Sequence, residues 1–295
     1  MKKRYYSINE YLKKEFGGKT IKLALDGGFT CPNRDGTKGY GGCLFCSENG
    51  SGEFASDIPK QIELLSNKWP DANYLAYFQN HTNTYAPVEI LKSKYYEALN
   101  DPHIKGLVIG TRPDCLDDEV LDLLTEINNN HFLWVELGLQ TTKKSSMEFL
   151  NLKYTLDDFD DAIIKLRKRN IKAVVHVILG LPGENRENMF NTVKYVCNNN
   201  VFGIKLHMLN VVKNSSLAKL MPCYESFDSI EEYVDLVINL LEIIPEDITI
   251  HRLSADAPRP ILLTPKWSYK KRTILNMINN ELESRNTHQG IKKSG

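Results

Sequence analysis

The sequence has no apolar run near the roughly 20 residues that a membrane helix requires. Its first 19 residues are partly basic and lack the apolar segment of a secretion signal. The net charge is zero, which argues against a protein coated in basic surface but leaves room for local basic patches. Internal repeats, low-complexity tracts and Pro/Ser-rich linkers are also missing. We therefore expect a cytoplasmic protein with no membrane contact, whose cysteines are mostly thiols.

The six cysteines fall into two groups. Cys115, Cys197 and Cys223 are isolated, and we expect them to be small core residues. The other three are clustered, which in a cytosolic protein indicates metal or redox chemistry rather than disulfides. A chain of 295 residues, enough for one large domain or two small ones, has no need of disulfides for stability.

Short apolar runs alternate with longer amphipathic stretches along most of the chain. The runs predict strands at 20–25, 73–78, 106–110, 132–139, 172–179 and 202–209. The stretches predict helices at 57–68, 87–99, 117–128, 157–169 and 184–199. Because such alternation is typical of parallel βα units, we expect an α/β protein with a partial (β/α)6 TIM-type barrel. In such barrels the chemistry collects at the carboxyl ends of the strands.

The pattern changes after residue 212. A helix over 229–243 precedes a strand over 247–253 and a last helix over 266–284. We expect a barrel core over 1–212, which includes a cysteine-rich loop at 26–54, and a C-terminal extension over 213–295 that packs on it. The last helix and its tail are basic, which suits a polyanion, although a solvated helix face is the more common explanation. The basic residues are Lys266, Lys270, Lys271, Arg272, Arg285, Lys292 and Lys293.

The loop 26–54 places Cys31, Cys43 and Cys46 among eight glycines and almost no aliphatic residues. The Cys-x-x-Cys spacing of the last two is shared by zinc and iron–sulfur sites. No histidine precedes His81 and no fourth cysteine precedes Cys115, so a closed zinc site needs a distant fourth ligand. Three thiolates and one open position fit a [4Fe–4S] cluster whose free iron binds an exogenous ligand. Zinc stays the alternative.

The segment LALDGGFTCPNRDGTKGYGGCLFC (23–46) resembles the radical S-adenosylmethionine (SAM) superfamily. The long gap between its first two cysteines is similar to the gap in the branch related to the catalytic subunit of Elongator. The segment resembles in particular compact bacterial proteins of that branch. The segments YFQN, GTRPD, VELGLQT and HVILGLPGE follow in the order that this family shows. The resemblance covers most of the chain, from about residue 21 to 260. It implies that Cys31, Cys43 and Cys46 hold a [4Fe–4S] cluster and that SAM is the second cofactor.

The resemblance also implies residues that bind SAM. Phe45 would lie against the adenine, and Gln79 would hold the methionine amino group. Glu136 and Gln140 would reach the ribose hydroxyls, although Glu136 is equally suited to be a buried structural carboxylate.

Two glycines complete the predicted SAM site, because Gly180 and Gly183 would let the backbone approach the adenine. His176 stands where this family often has glycine, and no role follows for it. No general acid or base is identified. The candidate substrate residues are Arg112, His207, His251 and Arg252.

A family member of this kind is an enzyme that cleaves SAM reductively to a 5′-deoxyadenosyl radical. The resemblance to Elongator makes tRNA the leading substrate, and the aromatic and basic segment PKWSYKKR (265–272) suits a nucleic acid. Because 295 residues leave no room for an acetyltransferase domain, we expect remodelling of a side chain already attached at the 5-position of a wobble uridine. A flavodoxin or ferredoxin would supply the electron, and the oligomeric state is open.

Two alternatives to tRNA modification remain. The first is a radical SAM enzyme that acts on a small molecule such as a tetrapyrrole, as in the similar oxygen-independent coproporphyrinogen oxidases. The second is a zinc-stabilised binding protein without enzymatic activity.

Overall fold

The computed structural model describes residues 4–50, 52–255 and 257–293. The first half of the fold consists of α1 (Ile8–Phe16), β1 (Thr20–Leu25), α2 (Ile58–Ser66), β2 (Asn73–Phe78), α3 (Val88–Leu99), β3 (Ile104–Thr111), α4 (Asp118–Asn130) and β4 (Phe132–Gln140). Then follow α5 (Lys144–Phe149), α6 (Leu156–Lys168), β5 (Lys172–Leu179), α7 (Arg186–Asn198), β6 (Gly203–Met208) and β7 (Val211–Val212). The chain ends with α8 (Ser216–Leu220), α9 (Ile230–Ile243), β8 (Thr249–Arg252), β9 (Leu262–Thr264), a 3-10 helix (Lys266–Tyr269) and α10 (Lys271–Ser284).

The main sheet has seven parallel strands in the order β1-β2-β3-β4-β5-β6-β8. Each strand up to β6 pairs with the next one along the chain, and β8 pairs with β6. The central strands are buried over almost their whole length, as is typical of a parallel sheet covered on both faces. The carboxyl ends of the strands therefore meet on one side of a partial barrel.

The helices begin where polar side chains can cap them. Asp117 accepts a hydrogen bond from the Val120 amide at the start of α4, and Thr155 forms a reciprocal capping box with Asp158 at the start of α6. Such caps satisfy backbone N–H groups that have no partner within the helix. Helices α3, α5 and α10, in contrast, begin without a side-chain cap.

Helix α1 closes the other end of the barrel. Ile8 and Leu12 of α1 pack against the inward side chains Tyr77 and Trp134, and Ser7 forms a parallel bridge with Ile250 of β8. Helix α1 thus covers this end of the barrel and is linked to the last strand of the sheet, β8.

The structure confirms the α/β fold with a partial TIM-type barrel, and all six predicted barrel strands are present. Strand β8, within the predicted extension 213–295, joins the barrel sheet as a seventh strand. The division at residue 212 stays a prediction. No helix among the described residues is long and apolar enough to cross a membrane.

The C-terminal helix differs from its prediction. The stretch 266–284 breaks at Lys270, because Trp267 of the 3-10 helix turns into the core against Tyr233. Within α10, Lys271 and Arg272 are balanced by Glu281 and Glu283, so the basic excess lies in the flanking residues rather than along the helix.

Cys223 is exposed, so the prediction that it is a core residue was wrong. It lies in a turn after α8, beside the exposed Pro222. Cys115 and Cys197 are half-buried.

Candidate active site

A cavity of about 280 Å³ opens at the carboxyl ends of the barrel strands. The cysteine loop (residues 26–54), which follows β1, forms one wall, and the ends of β2 to β6 and β8 form the rest. Most of the residues predicted for the site lie in this wall: Cys31, Cys43, Cys46, Phe45, Gln79, Arg112, Glu136, Gln140, His207 and Arg252. Their individual roles stay predictions.

The cysteine loop is anchored to the loop that follows α5. Asn33 donates to the Asn151 carbonyl at 2.6 Å, and Asn151 in turn donates to the Gly42 carbonyl at 2.9 Å. The Leu44 amide donates to the Leu150 carbonyl at 3.0 Å. Because the loop has few apolar side chains, these hydrogen bonds and not a core of its own set the positions of its cysteines.

The three clustered cysteines are free thiols. Cys31 is buried, while Cys43 and Cys46 are half-buried at the cavity. A hydrogen bond with Cys46, together with burial, holds the pKa of the Cys43 thiol well above its usual range. Asn33 donates to the Cys43 sulfur at 3.6 Å. Buried thiols ionise when positive charge compensates them, and a bound metal centre would supply that charge.

Arg112, at the end of β3, is held on several sides. It makes two hydrogen bonds of 2.9 Å to Asp114 and a third to the Leu152 carbonyl, and its guanidinium lies over the Tyr154 ring. Burial opposes its charge, but Asp114 outweighs burial and keeps the pKa of Arg112 above its usual value. These contacts engage three of its five N–H donors, and the predicted contact with substrate stays a prediction.

Glu136, on β4, is the centre of a buried ionic cluster inside the barrel. One carboxylate oxygen accepts hydrogen bonds from Lys22 and Trp134, each at 3.1 Å. The other accepts from Lys205 and contacts His176 Nε2 at 2.9 Å. Burial raises the pKa of Glu136, but the two lysines and His176 outweigh it and hold the pKa well below its usual range. The carboxylate therefore has a structural environment of its own, and a ribose contact would compete with four existing partners.

Three histidines of the barrel differ in their surroundings. His176 lies 5.0 Å from His207, ring centre to ring centre. The Nε2 atom of His207 is buried and has no hydrogen-bond partner among the described residues, although His207 lines the cavity. Burial, with Arg252 and His176, keeps its pKa well below the usual range, so the ring is neutral. His251 packs against Trp134 and stands outside the cavity wall, within hydrogen-bonding distance of Thr249.

Gly180 and Gly183 have positive φ angles of 78° and 76° after β5, which favour glycine. A Cβ at Gly180 would meet Phe227 at 2.7 Å and Ser226 at 2.8 Å, whereas a Cβ at Gly183 would meet nothing within 4 Å. Among the described residues, neither glycine belongs to the cavity wall. At Gly180 the chain that follows α8 makes the close approach, and the predicted approach of the adenine to either glycine stays untested.

Models of two protein families match this chain in succession. The Radical SAM superfamily matches residues 31–196, and the Radical_SAM C-terminal domain matches residues 201–284. The chain belongs to the radical SAM superfamily.

Two relatives are similar in sequence over most of this chain. "Uncharacterized protein YtqA" of Bacillus subtilis is 44% identical, with 98% of this chain and 92% of that protein covered. "Protein YhcC" of Escherichia coli is 39% identical over 87% of this chain and 85% of its own. Among solved structures, the archaeal Methanocaldococcus infernus Elp3 superimposes with a TM-score of 0.67 at 15% identity, covering 92% of this chain and 64% of that one. This last likeness shows a shared fold.

A more distant relative agrees with the Elongator branch. The "tRNA uridine(34) acetyltransferase" of Methanocaldococcus jannaschii is 24% identical over 163 residues, which cover 54% of this chain and 29% of that protein. The radical SAM chain is thus an enzyme of the branch related to the Elongator catalytic subunit.

Radical SAM enzymes use a [4Fe–4S] cluster and SAM, and the donors at the cavity fit such a cluster. Three free cysteines share one wall. No group of three or more His, Cys, Asp or Glu side chains in the described part of the chain is arranged around a single metal ion. A cluster suits this arrangement, because each cysteine binds a different iron. The alternative of a zinc-stabilised protein without enzymatic activity was wrong, since it conflicts with the family.

The sequence analysis did not identify several residues that line the cavity or belong to the buried ionic cluster around Glu136. Lys22 and Lys205 interrupt apolar strands, and a lysine in such a place is a signal of a buried, paired charge. Tyr154 and His81 also line the cavity, and His81 has a positive φ of 55° directly after YFQN. A positive φ at a histidine leaves no mark in the sequence.

Proposed function

We propose that this radical SAM enzyme modifies tRNA by remodelling a side chain already attached at the 5-position of a wobble uridine. The observation that carries the proposal is the similarity to a protein named as a tRNA uridine(34) acetyltransferase, which extends over 163 residues, or 54% of the chain. The residues beside the cavity mouth support it. A tRNA substrate places the enzyme in the cytoplasm, and a flavodoxin or ferredoxin is the proposed electron donor.

A basic and aromatic surface adjoins the cavity. Pro258 and Ile261 line the cavity, and between them Arg259 lies 4.1 Å from the ring centre of Tyr269. The side chains of Arg259, Lys266, Tyr269, Lys270 and Arg272 are exposed. Cations interleaved with aromatic rings contact phosphates and stack on bases. We define this set of five residues as the basic rim, and it would hold the anticodon stem-loop while one nucleotide enters the cavity.

Two buried polar atoms in the cavity wall suit a nucleobase. His207 Nε2 and Asn210 Oδ1 have no hydrogen-bond partner among the described residues, and both residues line the cavity. A buried polar atom without a partner costs about 1–3 kcal/mol, which a ligand recovers. A uracil ring carries both donors and acceptors on its edge, so it can satisfy both atoms.

The protein's own part in the reaction follows from these contacts. We propose that Cys31, Cys43 and Cys46 hold three irons of the cluster, and the hydrogen bonds of Asn33 and Asn151 fix their positions. A bound cluster and SAM supply one-electron cleavage of SAM and a 5′-deoxyadenosyl radical. The barrel walls exclude water from this site, and His207 orients the uridine within it.

Nucleoside mass spectrometry of bulk tRNA tests the proposal directly. Cells that lack this protein should accumulate one wobble-uridine precursor and lose its product, and the wild-type gene should restore the product. The Cys46→Ala variant should not restore it, whereas Cys223→Ala, which changes an exposed cysteine, should. An unchanged tRNA profile would reject tRNA as the substrate and leave a small molecule, such as a tetrapyrrole, as the alternative.

Binding measurements test the basic rim separately. Replacing Arg259, Lys266, Lys270 and Arg272 with alanine should weaken tRNA binding and make it less dependent on salt, because fewer phosphates are neutralised. Iron content should stay the same, since none of the four lies in the cavity wall. Equal affinity and equal salt dependence would place tRNA elsewhere on the protein.

A further inference from the structure

Arg112 is a buried cation in the same cavity wall as the three cysteines. Its charge acts on the Cys43 thiol, and Cys43 and Cys31 act on Arg112 in turn. Asp114 compensates the charge of this guanidinium, which is otherwise costly to bury. A cofactor with negative charge would interact with it from the cavity side.

The guanidinium cannot easily turn away from the cysteines. Asp114 grips it through two parallel hydrogen bonds, and the Leu152 carbonyl accepts a third at 2.9 Å. Lys38, from the cysteine loop itself, forms an ion pair of 2.6 Å with Asp114. This ion triad of Lys38, Asp114 and Arg112 joins the cysteine loop to the end of β3 and carries one net positive charge.

We propose that Arg112 is a positioning residue that raises the reduction potential of the [4Fe–4S] cluster, and that Asp114 and Lys38 hold it in place for this task. The inference rests on the proposed ligation of the cluster by Cys31, Cys43 and Cys46. The substrate contact that the sequence predicted for Arg112 stays a prediction beside it.

The sign of the effect follows from charge. A [4Fe–4S] cluster with three thiolate ligands is negative, and reduction makes it more negative. A fixed cation stabilises the reduced form more than the oxidised form, so it makes the cluster easier to reduce. The interaction is strong here because Arg112 and Asp114 are shielded from water, with side-chain exposures of 8% and 2%.

Potentiometric titration monitored by electron paramagnetic resonance of the anaerobically reconstituted protein tests the inference. Arg112→Gln should lower the midpoint potential, whereas Arg112→Lys, which keeps the charge, should shift it less. Asp114→Asn should raise the potential, because it removes the neutralising carboxylate. Arg169→Gln is the matched control, since it removes an arginine paired with Asp118 and Asp122 on the surface.

Opposite shifts in Arg112→Gln and Asp114→Asn support the inference, because both variants break the same ion pair but remove opposite charges. Shifts in the same direction, or no shift, would overturn it and indicate a purely structural ion pair. If Arg112→Gln does not fold, Asp114→Asn alone tests the sign, since it must raise the potential while the charge-keeping Arg112→Lys leaves it nearly unchanged. A wild-type protein that assembles no cluster, or a Cys46→Ala variant that keeps its full iron content, would instead refute the proposed ligation.

Discussion

At the scale of single residues, the most heavily committed side chain is Glu136. It is the anion of a cluster with Lys22 and Lys205, and its side chain is fully buried. Removing one partner of a buried ion pair leaves the other charge without compensation. The stability of the barrel therefore depends on this carboxylate.

We predict that Glu136→Gln lowers the free energy of unfolding by about 3–5 kcal/mol, measured by urea denaturation. The double variant Glu136→Gln/Lys205→Met should recover part of the loss, because it also removes the uncompensated ammonium. Glu126→Gln serves as the control, since it changes only exposed contacts with Lys92 and Tyr96 and should alter stability little. Equal effects at the two glutamates would contradict a structural role for the buried cluster.

His176 makes the same cluster sensitive to pH. Burial and the ammonium of Lys205 lower the pKa of His176 from 6.5 to about 4, although Glu136 opposes them. Lys22 and His207 also face the ring or its partner. The unfolded chain binds a proton between these two values and the folded protein does not, so stability falls as the pH falls.

The expected loss from His176 between pH 6.5 and pH 4 is about 3 kcal/mol. Urea titrations of the wild type and of His176→Gln at a series of pH values measure it as a difference in slope. The variant should depend less on pH over this window. Parallel curves would show that the folded protein protonates His176 as readily as the unfolded chain does.

At the scale of elements, the turn after β5 contains two glycines that are required for different reasons, Gly180 for close packing and Gly183 for its backbone conformation. Gly180→Ala adds a Cβ against Phe227 and Ser226 in addition to backbone strain, whereas Gly183→Ala adds the strain alone. We predict that thermal or urea unfolding shows a larger loss of stability for Gly180→Ala, with a loss of about 1 kcal/mol for Gly183→Ala. SAM affinity, measured on both variants, then tests the predicted approach of the adenine. An unchanged affinity in a folded Gly183→Ala variant would exclude contact at that residue.

Helix α8 steadies the cysteine loop from the C-terminal side. The Leu217 amide donates to the Leu44 carbonyl at 2.8 Å, and the buried Leu217 side chain belongs to the cluster that Cys43 and Phe45 pack against. Leu217→Ala opens a cavity there and should speed the loss of cluster iron to a chelator. Leu220→Ala, on the exposed face of the same helix, is the control and should leave the rate unchanged. Equal rates in both variants would show that α8 does not support the loop.

Elements with a long apolar run were predictable from the sequence, and short ones were not. The barrel strands are buried on both faces, so each reads as a continuous apolar run such as NYLAYF or KAVVHVIL. Helix α8 has five residues and β7 has two, which is too few for a periodic pattern. The contact between Glu136 of β4 and Lys205 of β6 was equally hidden, because β5 lies between these strands and only the curvature of the sheet brings the side chains together.

At the scale of the whole molecule, the two ends of the chain are joined through one buried residue. Gln289 accepts from the Tyr6 amide at 2.8 Å and donates to the carbonyls of Pro245 and Ile248 at 2.6 and 2.8 Å. Its own amide donates to the Arg4 carbonyl. Ser7 bridges to β8, and β8 pairs with β6. These hydrogen bonds therefore connect both terminal segments to the main sheet.

Gln289→Ala should therefore lower the free energy of unfolding of the entire protein by about 2–4 kcal/mol, because three side-chain hydrogen bonds disappear and their backbone partners stay buried. The unfolding curve should keep one transition, since the C-terminal segment contributes β8 to the main sheet and cannot leave it intact. Asn286→Gly is the control, because it removes an exposed contact with Arg4 and tolerates the positive φ of 46° at this residue. A separate early transition in Gln289→Ala, followed by far-ultraviolet circular dichroism, would show instead that the C-terminal segment unfolds independently of the barrel.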